Sequence, residues 1–289
     1  MTVLQTLVHY FTWFSEHPGI SKEALSSMLS LQHNSVLPPS NLLPGTYEAA
    51  LKAIEPYLVK SVVYHVCPND CIIFRGSFAD LLECPECHSA RYIPGTSIPA
   101  QTFTYLPLGP RLARLFGTSN LAQAIQSHLK QKESDEMTDI HDSPTWKEAY
   151  SLSGIFGGDG RGLSLALCAD GVNPFNRNKV TYSMWPIMLT ILNLPRKVRN
   201  HFGNILLVGI VPANGSREAH NLNPYLDILV DELLEISAST IFDAYQNAPF
   251  TCKVELLFYI LDYPGICKLF GIVGSGAYNG CAWCHIQGR

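Results

Sequence analysis

Two apolar runs in this chain stop in the same way. Leu163-Ser-Leu-Ala-Leu-Cys-Ala ends at Asp170, with Gly171 and Pro174 following; Cys252-Lys-Val-Glu-Leu-Leu-Phe-Tyr-Ile-Leu ends at Asp262, with Pro264 and Gly265 following. Short apolar runs bounded by turn residues read as buried strands. Each strand then delivers a carboxylate to its C-terminal end, where the backbone turns. Such a carboxylate either caps the turn with its own oxygen or holds a hard cation with coordination positions left open. The first segment alone fits turn capping better; its repetition 92 residues later, at Asp262, strengthens the cation reading.

The stretches 184–194 and 205–211 read as two further strands, and Pro186 weakens the first or puts it on a sheet edge. Residues 224–236 read as a helix with Leu226, Leu229, Val230, Leu233 and Leu234 on its buried side. Three strands, a helix and a fourth strand, with acids ending the first and fourth, is the order of an RNase H-like fold. Those two strands are neighbours in such a sheet, which would set Asp170 beside Asp262.

Nine cysteines, in a chain with neither a signal peptide nor an apolar run near the ~20 residues that cross a bilayer, suggest metal ligands more than disulfides. Four of them form Cys67-Pro-Asn-Asp-Cys71 and Cys84-Pro-Glu-Cys87. Two tight turns about a dozen residues apart converge their sulfurs into a tetrahedral Zn²⁺ site. Little apolar material lies between them, so without metal this segment has little reason to order. Four sulfurs fill the shell, which makes the site structural and leaves His88 as an exposed neighbour.

The chain has 289 residues, and its 47% hydrophobic content suffices for one large or two ordinary domains. Its net charge of −4 confines any nucleic-acid surface to a local patch. Helical spacing covers 1–30 and 47–58, separated by a proline-containing linker at 33–45. Arg111 and Arg114, one helical turn apart, form either a small basic patch or a solvated helix face. A polar helix at 120–131 precedes a charged linker at 130–145. The glycine-rich 154–162 lacks the Gly-Lys-Ser/Thr ending of a phosphate-binding loop. Ser164 and Cys168 lie in the inferred strand without a nucleophile elbow. The expected organisation is a helical region (1–60), a four-cysteine zinc ribbon (61–95), a helical connector and linker (96–150), and an incomplete RNase H-like core (151–289). The class is α/β, α+β overall.

Several ordered motifs carry a resemblance. Cys-Pro-Asn-Asp-Cys (67–71), Cys-Pro-Glu-Cys (84–87), Asp-Ser-Pro-Thr-Trp-Lys (142–147), Ala-Asp-Gly-Val-Asn-Pro-Phe (169–175), Tyr-Ser-Met-Trp-Pro (182–186), Asp-Tyr-Pro (262–264) and Cys-Ala-Trp-Cys (281–284) follow one another. From about residue 45 onward the chain resembles the Tnp2-type transposases of CACTA (En/Spm-like) DNA transposons. The resemblance implies that Asp170 and Asp262 are the first two members of an Asp-Asp-Glu triad holding Mg²⁺ or Mn²⁺. Ala169 replaces the usual serine and leaves the acid in place.

The resemblance also implies a third acid on a helix beyond the Cys281/Cys284 pair. That pair, with His285 beside it, reads as half of a second zinc site. Both completions fall after Arg289, so a C-terminally truncated chain with an incomplete active site is expected. The implied partners are the DNA of transposon ends and either a second copy or a full-length transposase, with no membrane. The implied location is intracellular and nuclear. The alternative function is a non-catalytic, zinc-dependent nucleic-acid-binding or regulatory relic.

Overall fold

The computed structural model describes residues 2–130, 136–175, 182–213, 219, 221–274, 276–284 and 287. The backbone groups into two units, Met1–Lys60 and Ser61–Arg289.

The first unit is helical. Helix α1 (Val3–Glu16) opens with a capping box: Thr2 Oγ1 accepts from the Gln5 N–H while the Gln5 side chain accepts from the Thr2 N–H. Ser21 and Thr46 cap α2 (Lys22–Leu31) and α3 (Tyr47–Ile54) with their side-chain oxygens. Leu7, Leu25, Leu29, Ala50 and Ile54 form the buried centre. The 33–45 linker folds back onto this core, burying Leu43, because the His33 ring N–H donates to Leu43 O and Asn41 Oδ1 accepts from the Leu43 N–H.

The second unit is built on a six-stranded sheet. In chain order its elements are β1 (Val62–His65), β2 (Thr102–Tyr105), α4 (Gly109–Phe116), α5 (Ser119–Gln126), α6 (Pro144–Ala149), β3 (Leu163–Ala169), β4 (Trp185–Ile191), α7 (Arg196–Arg199), β5 (Ile205–Val211), α8 (Asn223–Ser237), the hairpin β6 (Thr240–Asp243) and β7 (Ala248–Thr251), β8 (Val254–Ile260) and α9 (Tyr263–Phe270). The sheet order is β1-β2-β5-β4-β3-β8. Every pair is antiparallel except β3 with β8, which run parallel. A parallel pair needs a crossover, and α8 lies in the connection from β5 to β8. The cysteine segment is inserted between β1 and β2, and the Val66 N–H donates to Gln101 O where the insertion begins and ends.

Two features differ from the sequence reading. Pro186 lies in an interior strand, not on an edge. Ala169 pairs with Ile187, and the bridge from Val172 to Met184 continues that register, so Pro186 falls opposite Asp170. Val172 and Met184 exchange both backbone hydrogen bonds, so the pair two residues away would do the same if both had an N–H. Proline has none, and the ladder between β3 and β4 is interrupted at Asp170.

The second difference is the rotation of α8. Its buried face is Tyr225, Ile228, Leu229, Leu233 and Ile236, whereas Val230 and Leu234 are exposed. Two polar anchors account for this rotation. Tyr225 donates to Asp70, and Glu232 accepts from the Tyr105 hydroxyl and from the Leu108 and Gly109 N–H groups that open α4.

At the N-terminal end of β3 a buried polar knot joins the sheet to the segment before it. Asn193 is fully buried; its Oδ1 accepts from the Ser164 N–H, and its Nδ2 donates to the Tyr150 hydroxyl and Gly162 O. Ser143 caps α6 by accepting from the Trp146 N–H, and Asp142 accepts from the Thr138 and Asp139 N–H groups. The Asp-Ser-Pro-Thr-Trp stretch is therefore a helix-start sequence. It stacks Trp146 on Tyr150 at 4.6 Å, with His128 and His141 against the Trp146 ring. Arg199 closes the knot with a two-point ion pair to Asp139.

Truncating Asn193 to alanine leaves several buried groups without partners. It should cost about 2–4 kcal/mol in urea unfolding. Burial also pushes His128 down from 6.5 to about 4. Between those values the unfolded chain binds a proton that the fold excludes. Stability is thus fully present above pH 6.5 and falls by roughly 3 kcal/mol toward pH 4. His128→Gln should flatten that part of a stability–pH profile.

Candidate functional site

The sulfurs of Cys67, Cys71, Cys84 and Cys87 all lie within 4.8 Å of one another. Among the described residues this is the one such group of three or more potential ligands. Each turn is closed by a backbone bond of 2.9 Å, from the Asp70 N–H to Cys67 O across three residues and from the His88 N–H to Cys84 O across four, and both donors adopt positive φ. His88 itself is exposed.

The donor set fits a tetrahedral, thiophilic ion, whose sulfurs would sit about 3.8 Å apart. Burial pushes the Cys67 thiol up to about 11 and raises Cys71 further, where the neighbouring sulfurs add to the effect. Burial acts the same way on Cys87, but hydrogen bonds from Ser89 and Asn69 overcome it and bring that thiol down to about 5. A cation bound by the four sulfurs would hold Cys67 and Cys71 deprotonated against this burial.

Asp170 and Asp262 end adjacent strands. Cys168 is in register with Ile260 across the parallel pair, and each acid lies two residues further on at the same end of the sheet. Strands so paired are about 4.8 Å apart. Both acids are exposed.

Their local roles differ. Asp262 caps α9: its Oδ1 accepts from the Gly265 N–H at 2.8 Å, and Pro264 occupies the first turn, where a missing N–H costs nothing. A Cβ on Gly265 would fall 2.9 Å from that oxygen, so glycine is needed for the cap. Asp170 has no hydrogen-bond or ion-pair partner among the described residues, so it does not act as a capping residue. Gly171 next to it packs against Ser183 and the Trp185 ring, which a Cβ would meet at 2.9 and 3.2 Å. The Lys268 ammonium sits 4.9 Å from that ring and donates to Ala219 O.

The remaining sequence candidates are placed as follows. Cys281 and Cys284 are 3.3 Å apart, and no third ligand joins them among the described residues. His285 lies outside the described residues. The pair is held over the acid-bearing strand, because Trp283 stacks on Tyr259 of β8. The basic patch dissolves: Arg111 turns inward and donates to the carbonyls of Leu106, Pro107 and Leu207. A helix-face count cannot anticipate a guanidinium recruited by backbone oxygens. Sequence reasoning also passed over Asp70, whose only signal was an extra acid inside a Cys-x3-Cys turn.

Residues 134–289 match the transposase family tnp2. The chain belongs to that family. The matched span contains both acids, the whole β3–β4–β5–α8–β8 path and the Cys281–Cys284 pair, and it excludes the four-cysteine insertion. A search among curated proteins finds no match. Among the described residues of this tnp2 chain, no helix is long and apolar enough to cross a membrane.

Titrating the metal-free protein with Co²⁺ should give thiolate charge-transfer absorbance that saturates at one ion for Cys67, Cys71, Cys84 and Cys87. Cys84→Ser should lose the stoichiometric site.

Proposed function

We propose that this tnp2 chain carries part of the DNA strand-cleavage and transfer core of a CACTA-type transposase. In this reading Asp170 and Asp262 hold Mg²⁺ or Mn²⁺, and the four cysteines hold a structural Zn²⁺. The observation that carries it is the parallel register of β3 and β8, which sets two carboxylates at equivalent positions on neighbouring strand ends. The strand order β5-β4-β3-β8, with α8 in the crossover, supports an RNase H-like core. The ordered motifs support the DNA of transposon ends as substrate and the nucleus as the place of action.

The residues fit the ions they would hold. Asp170 offers a carboxylate with no competing partner among the described residues. Asp262 keeps Oδ1 on the Gly265 N–H, which fixes its side chain and leaves Oδ2 for a cation. Bound there, divalent ions supply Lewis-acid activation of a water or 3′-OH and neutralise charge on the phosphoryl oxygens. Pro186 lacks the N–H that would bond the Asp170 carbonyl, so the acid sits just past β3 at an interrupted position between the paired Ala169 and Val172.

Ion binding tests the acid pair without requiring turnover, since the resemblance puts a third acid after Cys284. Saturating Mn²⁺ should raise the Tm of the wild-type chain; 100-fold excess over Kd corresponds to about 2.7 kcal/mol. Asp170→Asn and Asp262→Asn should each abolish that rise. Both should also be more stable than wild type without metal, through relief of like-charge repulsion. Asn caps a helix about as well as Asp, so Asp262→Asn removes charge while keeping α9. Equal Mn²⁺ shifts in wild type and both variants would sink the pairing. A metal-insensitive protein that still binds DNA would be the non-catalytic binder instead.

A further inference from the structure

We infer that Asp70 and Tyr225 form a tether that joins metal occupancy of the four-cysteine site and the packing of α8 into one cooperative unit. The inference rests on the reading of those cysteines as a metal site. Asp70 stands between two ligands, Cys67 and Cys71, yet it is only 2% exposed. Its Oδ1 accepts from the Tyr225 hydroxyl at 2.5 Å and from Gln101 Nε2 at 3.3 Å. Gln101 Nε2 also lies 3.5 Å from the Tyr225 oxygen. Gln101 adjoins β2, and its carbonyl accepts the Val66 N–H at the root of the insertion. The Tyr225 ring packs edge-on against Phe103 of β2 at 4.9 Å. Cysteine turn, sheet and crossover helix therefore meet at one buried point.

The direction of dependence follows from the backbone. Asp70 has φ of +56°, a left-handed conformation that costs energy in a residue with a Cβ. The closed turn from Cys67 holds it there, and a metal is what keeps that turn closed. If the turn opens, Asp70 swings away and the buried Tyr225 phenol loses its strongest acceptor. Burial, with the Asp70 charge added, holds that phenol far above its usual range, so it stays a donor. Tyr225 opens the helix that leads through β6 and β7 to β8 and Asp262, so metal on the cysteines steadies an element one connection away from the acids. Glu232, about two turns further along α8, makes its bonds to Tyr105 and to the start of α4 without the cysteine turn and serves as an internal control.

The experiment uses the full zinc-loaded chain. It combines hydrogen exchange before and after zinc stripping with the rate of zinc release to a chromophoric chelator. In wild type, stripping should raise exchange in the cysteine segment and in 225–229, and much less around 232–236. Tyr225→Phe should release zinc about tenfold faster, and its 225–229 exchange should no longer respond to stripping. Asp70→Asn tolerates positive φ and provides a second variant if the first fails to fold; it too should accelerate release. Unchanged release in both variants, or wild-type 225–229 exchange indifferent to stripping, overturns the tether. A wild-type chain that takes up no zinc overturns the metal site itself, and is told apart by metal analysis.

Discussion

The parallel pairing of β3 with β8 is the constraint on which the second unit depends. No short turn can join parallel neighbours, and here the chain between them supplies two antiparallel strands, a crossover helix and a hairpin before β8 docks. Both ends of β3 are then fixed by different means. At its start, Asn193 and Tyr150 tie Ser164 and Gly162 into the buried knot. At its end, the proline opposite Asp170 interrupts the ladder, and Gly171 lets the backbone pass close to the Trp185 ring.

Helix α8 shows how polar groups set the orientation of an apolar element. Its leucines and valine are distributed widely enough that hydrophobicity alone admits more than one rotation. Tyr225 and Glu232 each find a buried partner in only one of them. An unmade bond to either would leave a buried polar group stranded, a heavier penalty than exposing Val230 or Leu234.

That distinction explains what was legible in the sequence. Strand ends were legible because apolar runs stopped at acids followed by glycine and proline, a local signal with a local cause. The cysteine turns were legible because metal geometry fixes ligand spacing. The adjacency of β3 and β8 followed from element order, and the two acids do end neighbouring strands. Of the two readings of Pro186, the edge placement fails and the weakened ladder holds, because the proline's cost falls on the one bond wanted at that position. The α8 face misled because its partners, Asp70 and Tyr105, lie far away in the chain, and Arg111 because backbone carbonyls, those of Leu106, Pro107 and the distant Leu207, draw it inward. Asp262 shows a further limit: the cap occupies one carboxylate oxygen, so a capping role and a cation-binding role are not mutually exclusive in the sequence.

The insertion between β1 and β2 has a consequence for how the sheet is assembled. These two strands pair residue for residue from Val62–Tyr105 to His65–Thr102, yet a long segment separates them. Closing a loop of that size costs entropy that a short hairpin does not. An ion held by Cys67 and Cys71 at one side and Cys84 and Cys87 at the other would fold the segment onto itself, much as a crosslink does. The far edge of the sheet then meets as a tight turn rather than a long excursion. With such an ion bound, metal supply would bear on how fast, and not only how firmly, this edge is completed.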